Sequence, residues 1–408
     1  MKAKANTLFL ALSITLVAVS LICFPKESFE ASIRGLDMWW KVVFPSLLPF
    51  FVVSELLISF GVVKFIGIIL EPLMRPLFKV PGVGGFVWAM GMASGYPAGA
   101  KLTARLRQEK QISAIEAERL VSFTNASNPL FIFGAISVGF FNNPQLGIVF
   151  ALAHYAGNIC VGLLMRFHGG KIEQSKRTEY RRKVSLRHAF QVLHETRLKN
   201  KQPLGKLLGD AVRTSIQTLL AIGGFIILFS VFNKLLYTVH VTHMISVFFR
   251  YILEFFQIPG ELSIPLISGI FEITLGGQMS SQVREAELLH KVIVASFILA
   301  FSGFSVQAQV ASILAETDIR FKPFFIARIF HGIFSACFAY IFWKLLYEKT
   351  APSNGSLTSL PVFSTEQPSE WVIYMWKLLI TYGPIVTLVS LAFYTLMLLS
   401  EWKRENPA

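Results

Sequence analysis

The stretch Gly91 to Lys101, GMASGYPAGAK, interrupts a hydrophobic run at Gly91, Gly95, Pro97 and Gly99, and it constrains the fold more than any other part of the chain. Without those residues Gly82 to Ala100 would read as a membrane helix; with them, backbone N–H and C=O groups lose their helical partners. Hydrocarbon cannot satisfy such groups, so irregular backbone at membrane depth persists only where protein packs it or where it lines a wet cavity. A second interrupted run, SGIFEITLGGQMSSQ from Ser268 to Gln282, holds the corresponding place in the second half. Broken hydrophobic segments in matching positions of two halves point to a central solute site between them.

This argument needs a chain that lives in lipid, and the composition supplies one: 53% hydrophobic, 15% charged, mean hydropathy +0.56. The formal net charge of +14 does not call for nucleic acid, because the basic residues gather between apolar runs, where they set topology and meet anionic lipid heads. Cys23, Cys160 and Cys337 lie singly in apolar stretches, without the spacing of a disulfide framework or a metal site. No cofactor is expected.

Lys2 and Lys4 precede an apolar run, Thr7 to Phe24, that reads as an uncleaved first span with its N-terminus in the cytoplasm. A linker of mixed charge leads to Asp37, Trp39 and Trp40 mark a membrane interface, and Val42 to Phe60 returns inward past Pro45 and Pro49. Val62 to Phe78, with Lys64, Glu71, Arg75 and two prolines, reads as an interfacial or re-entrant helix. After the first broken run comes a charged inner loop in which Ser113 to Glu116 forms a capping box. The next helix crosses outward through Phe141, turns at Asn142-Asn143-Pro144 and returns from Leu146 to Met165. A polar, predominantly basic segment then belongs in the cytoplasm. Ser215 to Leu236 crosses outward, an amphipathic piece spans about His240 to Phe256, and Val292 to Leu314 and Phe324 to Leu346 cross after the second broken run.

The expected division is an N-terminal transmembrane anchor (1–35), a first repeat (36–165), a basic cytoplasmic loop (166–209), a second repeat (210–347), an exterior loop (348–371) and a C-terminal transmembrane helix with its tail (372–408). A shift of 174 residues lays Ser122-Phe123 on Ser296-Phe297, Asn128-Pro129-Leu130 on Ser302-Gly303-Phe304, and Ala153-His154 on Ala327-Arg328. Near the breaks the shift becomes 178 and pairs Gly91 with Gly269 and Gly99 with Gly277. Because the leading spans run in opposite directions, the expected fold is all-α: a polytopic membrane protein with two inverted repeats, each containing a broken or re-entrant helical hairpin.

Each broken run is followed by a helix with polar residues in apolar positions: Thr124-Asn125-Ala126-Ser127-Asn128-Pro129 in the first half, Ser302 to Gln309 in the second. Pro129 frees carbonyls near Asn125, and the amides and hydroxyls supply donors and acceptors. Half-helix N-termini at the hairpin tips add N–H groups that suit a carboxylate or a phosphate. The same polar residues can also serve as glue between helices. Glu272, between Phe271 and Ile273, is costly in a membrane segment unless paired, protonated or solvated, which makes it a coupling-ion candidate or a structural partner of Arg328 or His331. Arg328 either snorkels or holds an anion, while His154 and His331 read as packing histidines on apolar faces. With no catalytic triad, phosphate loop, paired acids or metal spacing, an enzyme is not expected.

GMASGYPAGAK, TNASNPLFIFGA, GIFEITLGGQ and FSGFSVQAQV together resemble the YlbJ-type sporulation integral membrane proteins, within the broader nucleoside-recognition (Gate) family. That resemblance covers essentially the whole chain and implies alternating access across inverted hairpins, as in concentrative nucleoside transporters. It places the substrate at the tips, Ser94, Gly95, Tyr96, Pro97 and Gly99 in the first hairpin and Thr274, Gly276, Gly277 and Gln278 in the second. The polar helices add Asn125, Ser127, Asn128, Ser302, Ser305 and Gln307. The resemblance also implies a multi-pass protein of the cell or forespore membrane, needed for cortex formation and spore maturation. The expected partners are the lipid bilayer and a small anionic substrate, best guessed as dipicolinate, with a homo-oligomer left open and no nucleic acid. Two rivals stand beside this reading: a non-transporting scaffold for cortex assembly that docks through Arg181-Arg182-Lys183, and a nucleoside transporter.

Overall fold

Runs of Leu, Ile, Val and Phe form helices here wherever Gly and Pro are sparse, since within lipid a helix satisfies its own backbone. The computed structural model describes residues 2–169, 186–199 and 202–348, and its regular structure there is helical. The helices are α1 (Lys2–Cys23), α2 (Pro25–Met38), α3 (Phe44–Ser59), α4 (Val62–Phe78), α5 (Val83–Ser94), α6 (Ala98–Gln108), α7 (Ala114–Thr124), α8 (Leu146–Met165) and α9 (Leu186–Lys199) in the first part. They continue as α10 (Leu204–Thr238), α11 (Val241–Phe255), α12 (Ser263–Phe271), α13 (Ile273–Gln282), α14 (Leu288–Phe301), α15 (Gly303–Leu314) and α16 (Phe321–Phe342). A wider, π-helical stretch, Leu130–Phe140, lies between α7 and α8. Among the described residues four stretches are long and apolar enough to span a bilayer, or up to six if the bent pairs α1–α2 (101°) and α3–α4 (83°) each count as one. The chain is a multi-pass membrane protein.

One series of elements occurs twice. A helix, an amphipathic helix, a hairpin of two short helices, a broken helix and a returning helix follow one another from α3 to α8 and again from α10 to α16. The two returning helices lie side by side in opposite directions. Asn143, before α8, donates from Nδ2 to Tyr347 Oη beyond α16 at 2.7 Å. Half-way along, the His154 carbonyl accepts from His331 Nε2 at 2.8 Å, and Gly157 packs against both His331 and Ser335.

The expected linker before Asp37 is instead the helix α2. Pro25 opens it, a position where the missing N–H costs nothing, and Ser28, Ala31 and Gly35 form one small-residue face. That face lets α10 approach closely: Ser230 Oγ donates to the Ala31 carbonyl at 2.8 Å, and a Cβ on Gly35 would sit 2.9 Å from Ile227 Cα. Trp39, read as an interface marker, is buried and donates from Nε1 to the Leu219 carbonyl at 2.8 Å, while Trp40 stays exposed. Charge and aromatic content suggested a loop and an interface; small-residue spacing decided for packing. The turn from α3 into α4 is made by Gly61, with φ +81°, a left-handed conformation that costs glycine little.

Where the expected inner loop ends, Ser113 and Glu116 form the reciprocal capping box at the start of α7. Glu118, one turn on, is buried and receives both His168 (2.6 Å) and Arg320 (2.6 Å), tying the first half to the turn before α16. In that turn Asp318 meets Arg107 at 2.6 Å, and hydrogen bonding to this guanidinium holds the carboxyl below its ordinary value. Residues 170–185 of the basic loop, including Arg181 to Lys183, lie outside the described residues, as do residues 349–371 of the expected exterior loop and the C-terminal span expected over 372–399.

Candidate solute site at the two helix breaks

The first break follows Thr124, where Asn125 to Asn128 leave the helix ahead of Pro129. Hairpin α5–α6 packs onto it through glycines: a Cβ on Gly91 or on Gly99 would run into the Thr124 carbonyl oxygen. Asn128 ties the two together, donating from Nδ2 to the Ser94 carbonyl and accepting from Phe131 N–H, both at 2.8 Å. From α8, His154 Nε2 accepts the Ser127 N–H at 3.0 Å and Tyr155 Oη donates to the Ser127 carbonyl at 3.0 Å. From α16, fully buried Arg328 donates to the Asn125 carbonyl at 2.9 Å and to the Ser122 carbonyl. It also donates to His331 Nδ1 at 3.0 Å, and the two histidine rings lie 4.7 Å apart. The histidines are therefore members of a buried polar network, and Arg328 neither snorkels nor pairs with Glu272. A positive side chain at the carbonyl end of α7 also suits the helix dipole.

The second break is shorter. α14 ends at Phe301, and Ser302 (φ +69°) and Gly303 (φ +59°) turn the chain into α15. Tyr96, from the tip of the first hairpin, donates to the Leu299 carbonyl at 2.9 Å, and Gln307 Nε2 donates to the Phe301 carbonyl at 3.0 Å. The second hairpin abuts this turn, with the Gly269 and Phe271 carbonyls 3.1 and 3.3 Å from where a Gly303 Cβ would stand. Its arms cross at glycines, Gly269 against Gly276, and Gly277 faces Ile136 of the first half. Glu272 caps α13, accepting Thr274 N–H at 3.1 Å and Leu275 N–H at 2.7 Å.

Each half thus reaches into the other's break, with Arg328 closing carbonyls of α7 and Tyr96 closing one of α14. Of the residues expected at the site, Ser94, Gly95, Tyr96, Gly99, Asn125, Ser127 and Asn128 gather at the first break, with Pro97 at the tip beside them. Gly276, Ser302 and Gln307 gather at the second, near Thr274 and the buried Ser305. Gln278 is exposed on α13 and makes no part of either cluster. Several buried atoms at this centre have no hydrogen-bond partner among the described residues: Ser94 Oγ, both side-chain atoms of Asn125, Ser302 Oγ, Gln307 Oε1 and His154 Nδ1. Buried polar atoms are normally satisfied, so such a group marks a place where polar matter can be accommodated.

A cavity of about 290 Å³ lies between α3, α6, α10 and α15, with Glu55, Lys101, Arg105, Gln217 and Gln309 on its walls. Its α10 wall was missed in the sequence, where this helix reads as a plain span. The signal was present as Thr214, Gln217 and Thr218, polar residues at helical spacing within an apolar run.

A family model described as nucleoside recognition (Gate) matches this chain twice, over residues 40–141 and 219–318, one match in each helical series. Sporulation integral membrane protein YlbJ of Bacillus subtilis (strain 168) is 58% identical over 398 residues, which is 97% of this chain and 96% of the relative. A solved structure of CNTnw in an outward-facing state aligns with 84% of this chain and 86% of that one, at 13% identity and a TM-score of 0.43. Near-complete coverage by YlbJ, with a Gate match in each half, places the chain in the YlbJ family of sporulation integral membrane proteins.

Proposed function

We propose that this protein carries a small organic anion across a forespore membrane, exposing a site between its two hairpins alternately to either side. Dipicolinate, a flat dianion, is the first cargo to test. The observation that carries the reading is the reciprocal closure of two broken helices around buried, unpartnered polar atoms. The opposed α8 and α16 support an inverted arrangement of the halves, which suits alternating access. Positive groups favour an anion: Arg328 lies at the first break, and Lys101 and Arg105 line the cavity beside α6. The α13 N-terminus already holds Glu272, so the substrate's charge is directed toward the first hairpin rather than the second. Glu272 thereby loses ground as a coupling-ion carrier, and the sporulation setting follows the YlbJ relative's name.

Uptake of labelled dipicolinate into proteoliposomes is the test, with Asn125→Ala and Ser302→Ala alongside. Flux above empty vesicles in the parent chain, reduced in both variants while the protein inserts normally, is the expected result. Flux equal to empty vesicles would remove this cargo. One observation favours a second reading: three amides, Gln108, Gln217 and Gln309, line the cavity, and such groups can read a nucleobase. Uridine uptake in the same vesicles separates the two.

A further inference from the structure

We propose that the cavity between α3, α6, α10 and α15 is a carboxylate-binding site whose cation is Lys101, and that Glu55 is a resident competitor which an entering anion displaces. The inference rests on the anion-transport reading and names the residue that would recognise the charge.

Lys101 closes the motif that interrupts the first hairpin and stands one turn into α6. Its side chain is 12% exposed and that of Glu55 13%, so both charges are largely out of water. Two buried opposite charges ordinarily close to 2.7–2.9 Å with hydrogen bonds, since little else offsets their desolvation. Even pairs with a more exposed cation close up in this protein: Arg320, 64% exposed, meets Glu118 at 2.6 Å, and Arg75, 37% exposed, meets Glu116 at 2.9 Å. Lys101 Nζ instead stands 3.5 Å from Glu55 Oε1 and makes no hydrogen bond among the described residues. The face of Phe51, 4.5 Å away, supplies cation–π attraction without using any N–H. No ammonium N–H is thus committed to a hydrogen bond among the described residues, and Nζ, closed to solvent while Glu55 stands beside it, is uncovered toward the cavity of about 290 Å³ only when Glu55 moves aside; that volume is near the lower end of the range of small-molecule sites.

The remaining walls suit a carboxylate with a polar body. Gln309, nearly fully buried, and Gln217 offer amide donors, and Arg105 stands one turn beyond Lys101 with its Nε engaged by Glu109 at 2.9 Å. Glu316 and Glu55 are the negative groups on the same walls, and they exclude anions that do not bring their own strong contact to Lys101. A loose internal pair is well suited to exchange: with the site empty of anion Glu55 stands in for the substrate, and on entry the substrate carboxylate takes the closer position.

The experiment measures dipicolinate-induced thermal stabilisation of the purified full chain, together with dipicolinate flux in proteoliposomes. The variants are Lys101→Gln, Glu55→Gln and the exchanged pair Lys101→Glu with Glu55→Lys. Loss of a charge-assisted contact raises the half-maximal dipicolinate concentration roughly ten- to a hundredfold in Lys101→Gln. Glu55→Gln, which removes the competitor, lowers it. The exchanged pair keeps the fold but does not recover binding, whereas a purely structural ion pair would recover everything on exchange. Unchanged binding in Lys101→Gln, or parental binding in the exchanged pair, overturns the site. Parental flux with Lys101-independent binding would sink this inference and leave the carrier reading standing. Lys101-dependent binding without parental flux would uphold the site and remove transport, and a parent that shows neither binding nor flux removes both.

Discussion

The helix breaks after Thr124 and after Phe301 occupy the same place in the two halves, yet different chemistry closes them. The carbonyls at the end of α7 receive a guanidinium, that of Arg328, which His331 steadies in turn. Those at the end of α14 receive a phenol and a primary amide, Tyr96 and Gln307. Hydrogen bonds with a charged donor are roughly twice as strong as neutral ones, and a guanidinium holds two acceptors in one plane. The first break is thus the firm one. The second is held by neutral donors only and turns through two consecutive left-handed residues, while unpartnered polar atoms occur at both breaks, on Ser94 and Asn125 at the first and on Ser302 and Gln307 at the second. Two halves of one plan thus hold their breaks with donors of different strength, a difference that fits the proposed carrier.

That contrast can be broken most decisively at Arg328. Arg328→Met leaves two buried carbonyls without donors and should destabilise the fold by about 3 kcal/mol or more, whereas Gln307→Leu should cost about 1 kcal/mol. Thermal unfolding of both variants in detergent checks the pair, and equal losses would erase the difference between the breaks. The hairpins should differ less. Gly91→Ala meets the Thr124 carbonyl and Gly276→Ala meets Gly269, each an overpacking worth about 1–3 kcal/mol by the same measurement.

A smaller effect separates a cap from a coupling site. Glu272→Ala should cost about 1 kcal/mol, as N-cap removals do, and Glu272→Asp should recover most of it. If Glu272 carried the coupling ion, Glu272→Gln would abolish gradient-driven uptake; as a cap it leaves uptake in place.

The smallest effect lies at the surface ion pair joining the halves. The Asp318 carboxyl is held below its unfolded value by Arg107, so its contribution is complete above about pH 4 and fades as pH falls through the lowered folded value. Because Asp318 is more than half exposed, Asp318→Asn should change stability by less than about 1 kcal/mol, and only above that window. A unfolding series from pH 7 to pH 3 reads it.

Much of this architecture was legible because lipid leaves the backbone so few choices. Gly91, Gly95, Pro97 and Gly99 announced the first hairpin, and Ser113 with Glu116 announced the start of α7. What stayed hidden depended on partners far away in the chain. Nothing local to Arg328 says that its guanidinium lies against Ser122 and Asn125, and His154 looks like a packing residue until the Ser127 N–H arrives. Glu272 drew attention as a charge in an apolar run, but its oxygens are met by N–H groups only two and three residues on, a local capping signal that the hydrophobic context concealed. The α2 helix was missed because mixed charge outweighed the spacing of Ser28, Ala31 and Gly35.

The central claim is that the two breaks border one route that water and solute can enter. Single cysteines at Ser94 and at Ser302, both fully buried, in a chain whose Cys23, Cys160 and Cys337 have been replaced, test it with membrane-impermeant thiol reagents. The account predicts that both positions react in right-side-out or inside-out vesicles and that dipicolinate slows both reactions. Two thiols inert from either side, with and without dipicolinate, would contradict it.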